Sequence, residues 1–133
     1  MHYLDICIVD CGSKTTTGIS RLCTQAGCTY QTFPLADAGS AHLNRHDGII
    51  ISGGPHYFSE PVSHSLADVF AFIDTITRPL LGICLGHQAI GVRFGVKAFR
   101  GTRRQGQETI RLRSRHPLVA GLETAFAVQE DHC

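Results

Sequence analysis

A three-layer α/β fold, with a mostly parallel sheet flanked by helices and antiparallel strands near the C-terminus, is the architecture this sequence predicts. Three observations point to it. Short apolar runs end in glycine-bearing turns near residues 12, 53 and 82–86. Segments with apolar residues at helical spacing separate those runs, and alternation of strand and helix is the pattern of a parallel sheet. After residue 95 the pattern changes to residue-by-residue alternation, the mark of strands with one packed and one solvated face.

The elements follow in chain order. Residues 4–9 form an apolar run closed by Asp10-Cys11-Gly12-Ser13, a first strand and its turn. Ile19, Leu22, Cys23 and Ala26 then recur at helical spacing, and Gly27 stops that helix. Residues 28–33 make a short second strand. The unbroken run Ile49-Ile50-Ile51-Ser52 reads as a strand buried on both faces. A helix over 65–76 places Leu66, Val69, Phe70 and Ile73 on one stripe. Residues 80–83 are the next buried strand, and the helix after it ends near Gly95. Between 107 and 115, Ile110 and Leu112 alternate with Arg111, Arg113 and Arg115, which predicts antiparallel strands with one packed face and one positive face. Ligand sites in parallel sheets gather beyond the carboxyl ends of the strands, and Asp10, Gly53, Gly54 and Cys84 all fall there.

Composition sets the outer bounds. The 133 residues, 43% of them hydrophobic and 17% charged, suit one domain over 1–133 with a single core. A formal net charge of +1 exerts no general pull toward nucleic acid or membrane. No apolar run approaches the roughly 18 residues that span a bilayer, and the start Met1-His2-Tyr3-Leu4-Asp5 does not read as a secretory signal, so a cytoplasmic protein is expected. Cys7, Cys11, Cys23, Cys28, Cys84 and Cys133 contain no C-x-x-C pair and read as reduced thiols, not as a zinc or disulfide framework. Cys7 and Cys23 are expected in the core, and Cys11 in a turn facing the site. His2, His42, His46, His64 and His116 are expected at the surface or in packing. Arg100, Arg103 and Arg104 join the three later arginines in a local basic patch, either a solvated face or a docking surface for a partner or an anionic substrate. Without interleaved aromatic side chains it does not read as a nucleic-acid surface.

The most specific chemistry lies in Gly82-Ile83-Cys84-Leu85-Gly86-His87-Gln88. An apolar strand meets a helix there at a turn of the form G-x-C-x-G. In such a sharp, strained elbow a side chain two residues before or after the nucleophile would strike neighbouring backbone, and glycine removes the collision. Cys84 would stand at the amino end of a helix, where unpaired N–H groups and the helix dipole favour a thiolate. The amide of Leu85, next after the cysteine, would be the first donor of an oxyanion hole.

This run resembles the signature of the class I, triad-type glutamine amidotransferases, whose cysteine attacks the side-chain amide of glutamine and releases ammonia. His46-Asp47-Gly48-Ile49-Ile50-Ile51-Ser52-Gly53-Gly54-Pro55 is similar to that family's strand and glycine-rich turn. Ile8-Val9-Asp10-Cys11-Gly12-Ser13 resembles its first strand, and His116-Pro117-Leu118-Val119-Ala120-Gly121-Leu122 the segment before a late strand. The resemblance implies Cys84 as nucleophile, the amides of Gly54 and Leu85 as oxyanion donors, and Gly53, Gly54, His56 and Gln88 around the glutamine. His56 departs from the small or acidic residue more common at its position, and reads equally as an exposed loop histidine. Gln129 to Cys133 resembles the family's Ser/Asn-His segment, which places Asp131 and His132 at pocket-lining positions. No dissociable cofactor is implied for glutamine hydrolysis, and any ATP or magnesium would belong to a partner. L-glutamine and a synthetase accepting ammonia are the implied partners, and the turn Arg103-Arg104-Gln105-Gly106 with the His116-Pro117-Leu118 segment resembles the GMP synthetase branch more than the anthranilate or carbamoyl phosphate branches.

The family's general base is a histidine oriented by a glutamate two residues later, and no His-x-Glu occurs in this sequence. The simplest expectation is a partial amidotransferase domain. Two other readings stay open: a non-catalytic glutamine-binding or regulatory module, and a cysteine hydrolase of γ-glutamyl compounds on the same fold.

Overall fold

Four parallel strands carry the first part of the chain: β1 (Asp5–Asp10), β2 (Thr29–Pro34), β3 (Gly48–Ile51) and β4 (Leu80–Gly82), in the order β2-β1-β3-β4. The computed structural model describes residues 2–56 and 63–132, so Met1 and Cys133, both used in the sequence reading, lie outside the described residues. The chain divides into two compact units, Met1–Phe99 and Arg100–Cys133.

In the first unit, helices α1 (Thr16–Gln25), α2 (Ser40–Leu43), α3 (Ser63–Val69) and α4 (Leu85–Arg93) accompany the sheet, with 3-10 turns over Leu35–Asp37 and Ala71–Thr75. Side chains alternate across the sheet as the strand period requires. On one face Cys7, Val9, Ile49 and Ile51 join Leu43, Phe70, Ile73, Leu85 and Ala89 in the main core. On the other, Ile8 packs with Ile19 and Cys23 of α1, bordered by Ile6 and Ile50. The sheet is therefore the middle of three layers, as the sequence predicts. Outside the sheet, Arg93 at the end of α4 donates to Asp74 from Nε at 2.8 Å and to the Ala67 carbonyl at 3.4 Å, which ties α4 to the segment around α3. The guanidinium's hydrogen bond holds the Asp74 carboxyl below its usual range.

Four expectations need correction. The helix expected over 65–76 is α3 followed by a 3-10 turn, and this change of pitch at Phe70 breaks the 3.6-residue stripe: Phe70 and Ile73 are buried, but Val69 is 44% exposed. Leu22 is exposed because the buried stripe of α1 runs through Thr16, Ile19 and Cys23, and Leu22 falls to its side. The strand expected to be buried at 80–83 pairs, among the described residues, only with β3, so as an edge it leaves Leu81 and Ile83 exposed. Cys11 faces the core and not the open turn: it is buried in the main cluster with its thiol toward the Val9 carbonyl.

Burial of two thiols has a consequence for stability. Desolvation, aided by the nearby Asp5 carboxylate, raises the Cys7 pKa to about 11. Cys11 is likewise raised to about 11, chiefly by burial, with the Ser52 hydrogen bond opposing and Asp10 adding. An unfolded thiol titrates near 9.0, so the neutral folded form is favoured below pH 9 and its advantage is lost as pH rises through 11. We expect each thiol to contribute a fall of about 2 kcal/mol over that interval. Urea midpoints at pH 7, 9 and 11 in reductant would check it: Cys7→Ala should show a shallower decline than the natural chain, and an equal decline would refute the assignment.

The second unit is an antiparallel pair, β5 (Arg104–Arg111) and β6 (Ala125–His132), with Ile110 opposite Phe126 and Arg104 opposite His132. A 3-10 turn over Pro117–Val119 is capped by His116, whose Nδ1 accepts the Leu118 amide at 3.1 Å. The antiparallel strands agree with the sequence, but β5 starts three residues before the alternation begins and excludes Arg113 and Arg115. Its expected packed face is open at Ile110, which is 41% exposed. The basic patch is partly neutralised, since Arg103 grips Asp131 through Nε at 3.0 Å and Nη2 at 3.2 Å. No helix among the described residues is long and apolar enough to cross a membrane.

Candidate active site

Three turns leave the carboxyl ends of β1, β3 and β4, and the register of the parallel sheet brings them side by side. The first is organised by Asp10, whose Oδ1 accepts the Gly12 amide at 2.9 Å and the Thr16 hydroxyl at 3.1 Å, closing the turn and starting α1. The second begins at Ser52, fully buried at the end of an apolar strand. Its amide donates to the Val9 carbonyl at 3.0 Å. Its hydroxyl accepts the Cys11 amide at 2.9 Å and donates to the Gly53 carbonyl at 2.8 Å.

The third turn is the elbow. Ile83 still donates to the Ile51 carbonyl at 2.9 Å, as a strand residue would, and Leu85 already begins α4. Between them Cys84 has φ 51° and ψ −108°, the only positive φ of a non-glycine residue among those described. The chain closes behind it with the Gly86 amide on the Ile83 carbonyl and the Gln88 amide on the Cys84 carbonyl, both at 3.0 Å. The close approach requires glycine on both sides: a Cβ on Gly82 would lie 2.5 Å from the Gly86 carbonyl, and one on Gly86 would lie 2.3 Å from the Ile51 carbonyl oxygen. The collision expected from the sequence is therefore a property of the fold.

The turns also touch one another. A Cβ on Gly53 would stand 3.4 Å from the Cys84 Cβ, and one on Gly54 would fall 2.1 Å from the Cys11 carbonyl oxygen. Gly53, Gly54, Cys84 and Leu85 thus converge, with Leu85 buried beneath and Cys84 exposed. Among the described residues the Cys84 thiol has no hydrogen-bond partner, and it does not cap its own helix. The first amides of α4 lack partners four residues back by the geometry of any helix start. An exposed sulfur beside such amides and a glycine-rich turn is an arrangement suited to attack on a carbonyl carbon with donors ready for the oxygen.

The remaining expected site residues are placed as follows. Gln88 is half-buried one turn into α4, and His56 and His87 are exposed. Asp131 and His132 lie on β6 in the second unit, Asp131 in the Arg103 grip and His132 with its Nε2 2.9 Å from Glu130 Oε2. Buried His46 contacts Asp5 at 2.8 Å, and the His42 ring centre lies 4.8 Å from that of Phe33. His2 is exposed, and nothing is described of the His64 side chain. Among the described residues no group of three or more His, Cys, Asp or Glu is placed to hold a metal ion. Ser52 and the Glu130–His132 pair escaped the sequence reading. A lone polar residue closing an apolar strand, and an i, i+2 acid–histidine pair on an alternating strand, were the available signals.

Residues 7–133 match the family model for class I glutamine amidotransferase. The chain is 29% identical over 130 residues to the GMP synthase (glutamine-hydrolyzing) subunit of Thermoplasma acidophilum, covering 97% of this chain and 64% of that protein. It is 31% identical over 135 residues to the GMP synthase (glutamine-hydrolyzing) of Vibrio atlanticus, covering 99% of this chain and 25% of that one. The crystal structure of a protein from Thermoplasma acidophilum assigned as a GMP synthase subunit superposes with a TM-score of 0.85 at 26% identity, over 99% of this chain and 66% of that chain. The chain thus spans just under two thirds of the length of the GMP synthase subunit it resembles.

Proposed function

The chain belongs to the class I glutamine amidotransferases, and on that premise we propose that it binds L-glutamine and hydrolyses its side-chain amide through Cys84, delivering ammonia to a synthetase of the GMP synthase kind. The observation that carries this reading is the exposed Cys84 at positive φ, beside Gly53 and at the start of α4. The Cys84 sulfur attacks the carboxamide carbon, and the oxygen takes up the negative charge beside the Gly54 and Leu85 amides. Collapse breaks the C–N bond, the thiol proton ends on the departing nitrogen, and ammonia leaves a γ-glutamyl thioester. Water then adds to the thioester carbon, the C–S bond breaks, the proton returns to sulfur, and glutamate is released. Gly53, His56 and Gln88 surround the substrate in this proposal. The similarity to GMP synthases supports the choice of acceptor.

The test is protection. A chloroketone analogue of glutamine should add once to the chain, at Cys84 by peptide mapping, and millimolar L-glutamine should slow that addition by tenfold or more, whereas L-asparagine should not. Addition at Cys84 that L-glutamine leaves unchanged would overturn the reading.

A further inference from the structure

We infer that Ser52 is a positioning residue that aims the Gly54 amide at the reacting oxygen; this deepens the proposed function and rests on it. The hydroxyl meets two backbone groups in hydrogen-bond geometry, with the Cys11 thiol beside it. It accepts the Cys11 amide at 2.9 Å and donates its proton to the Gly53 carbonyl at 2.8 Å. The Ser52 amide is held as well, by the Val9 carbonyl at 3.0 Å, so the residue is clamped to the end of β1 at both its backbone and its side chain. A fully buried serine among apolar neighbours needs such partners, because a buried donor or acceptor left unmade keeps its whole desolvation penalty.

The consequence is directional. In a trans peptide the C=O and N–H point opposite ways, and no cis peptide occurs among the described residues. Holding the Gly53 carbonyl inward on the buried hydroxyl therefore turns the N–H of the same peptide unit, which belongs to Gly54, away from the core. Two glycines in succession could rotate this unit freely, since neither has a side chain to restrict φ. Packing of Gly54 against the Cys11 carbonyl leaves no room for a Cβ there, so the turn cannot be stiffened by a larger residue. The serine hydroxyl is the restraint that remains compatible with that close approach. It acts on the donor without touching the substrate.

The experiment separates reactions that need the donor from one that does not. The chloroketone analogue reacts through a tetrahedral oxyanion; iodoacetamide alkylates the same thiol by direct displacement at carbon and forms none. Second-order rates at Cys84 are measured with both reagents on the natural chain, Ser52→Ala and Ser52→Thr. Ser52→Ala should lower the chloroketone rate about 10- to 100-fold and leave the iodoacetamide rate within about twofold, less than the loss from deleting a donor outright. Ser52→Thr, which keeps the hydroxyl, should recover most of the chloroketone rate. If Ser52→Ala does not fold, Ser52→Cys, with a weaker donor at similar volume, should give an intermediate ratio of the two rates. A ratio in the folded variant equal to that of the natural chain overturns the role of Ser52 alone. A natural chain without preference for the chloroketone overturns the functional reading, and this inference with it.

Discussion

Cys84→Gly is expected to unfold at a higher urea concentration than the natural chain while losing all covalent reaction with glutamine analogues. Cys84 sits at φ 51° and ψ −108°, a region in which a Cβ meets its own backbone, and holding a non-glycine residue there costs about 1–3 kcal/mol. Glycine relieves that strain but adds freedom to the unfolded chain, worth about 0.5–1 kcal/mol against it. The net gain should be near 1 kcal/mol. Cys84→Ala removes the thiol equally but keeps the Cβ, so its stability should stay within about 0.5 kcal/mol of the natural chain. The pair of variants separates conformation from chemistry. Equal stability of the glycine and alanine variants would mean that the elbow holds no strain, and residual single labelling in either would move the nucleophile elsewhere.

Gly86→Ala should be among the most damaging single-methyl changes in the first unit. Its Cβ would lie 2.3 Å from the Ile51 carbonyl oxygen and 2.9 Å from the Ile51 Cβ. Ile51 is fully buried in β3, paired with β1 on one side and β4 on the other, so it cannot retreat. Relief must come from α4 moving off the sheet, which uncovers Leu85 and Ala89. Overpacking of this kind costs about 3 kcal/mol, a melting-temperature loss of about 10 °C or more for a unit of this size. Gly18→Ala is the control: a Cβ there meets nothing within 4 Å, and in α1 it should stabilise by up to about 1 kcal/mol. Thermal unfolding of the two variants beside the natural chain gives the answer, and a Gly86→Ala chain that melts with the natural one would contradict the packing described.

The parts of the fold that the sequence makes legible are those written locally. Ile49-Ile50-Ile51 marks a central strand because burial on both faces leaves no polar position. Gly82 and Gly86 flank Cys84 for a reason that spacing alone conveys. What stayed hidden depends on pairing across distance. Helix α2 has four residues, too few to display a period. Leu81 and Ile83 look like core residues, and only the strand order makes them an edge. Cys11 reads as a turn residue until the β1–β3 register places it beneath Gly54. The role argued for Ser52 rests on the same register, because its hydroxyl lies opposite a residue 41 positions earlier.

That separation also bears on the order in which the molecule can organise itself. The bond from the Cys11 amide to the Ser52 hydroxyl closes a span of 41 residues, and β3 must find β1 before it can form. Closing so long a loop carries an entropic cost that local helix formation does not, and such contacts slow folding. Helix α1 can form early from neighbouring residues, whereas the β3 turn acquires its geometry only when the two strands have met. The elbow follows, since Ile83 and Gly86 both rest on Ile51. The Cys84 thiol therefore gains its setting at the end of assembly, and a chain arrested before β1 and β3 pair would carry Cys84 as an ordinary, unstrained cysteine.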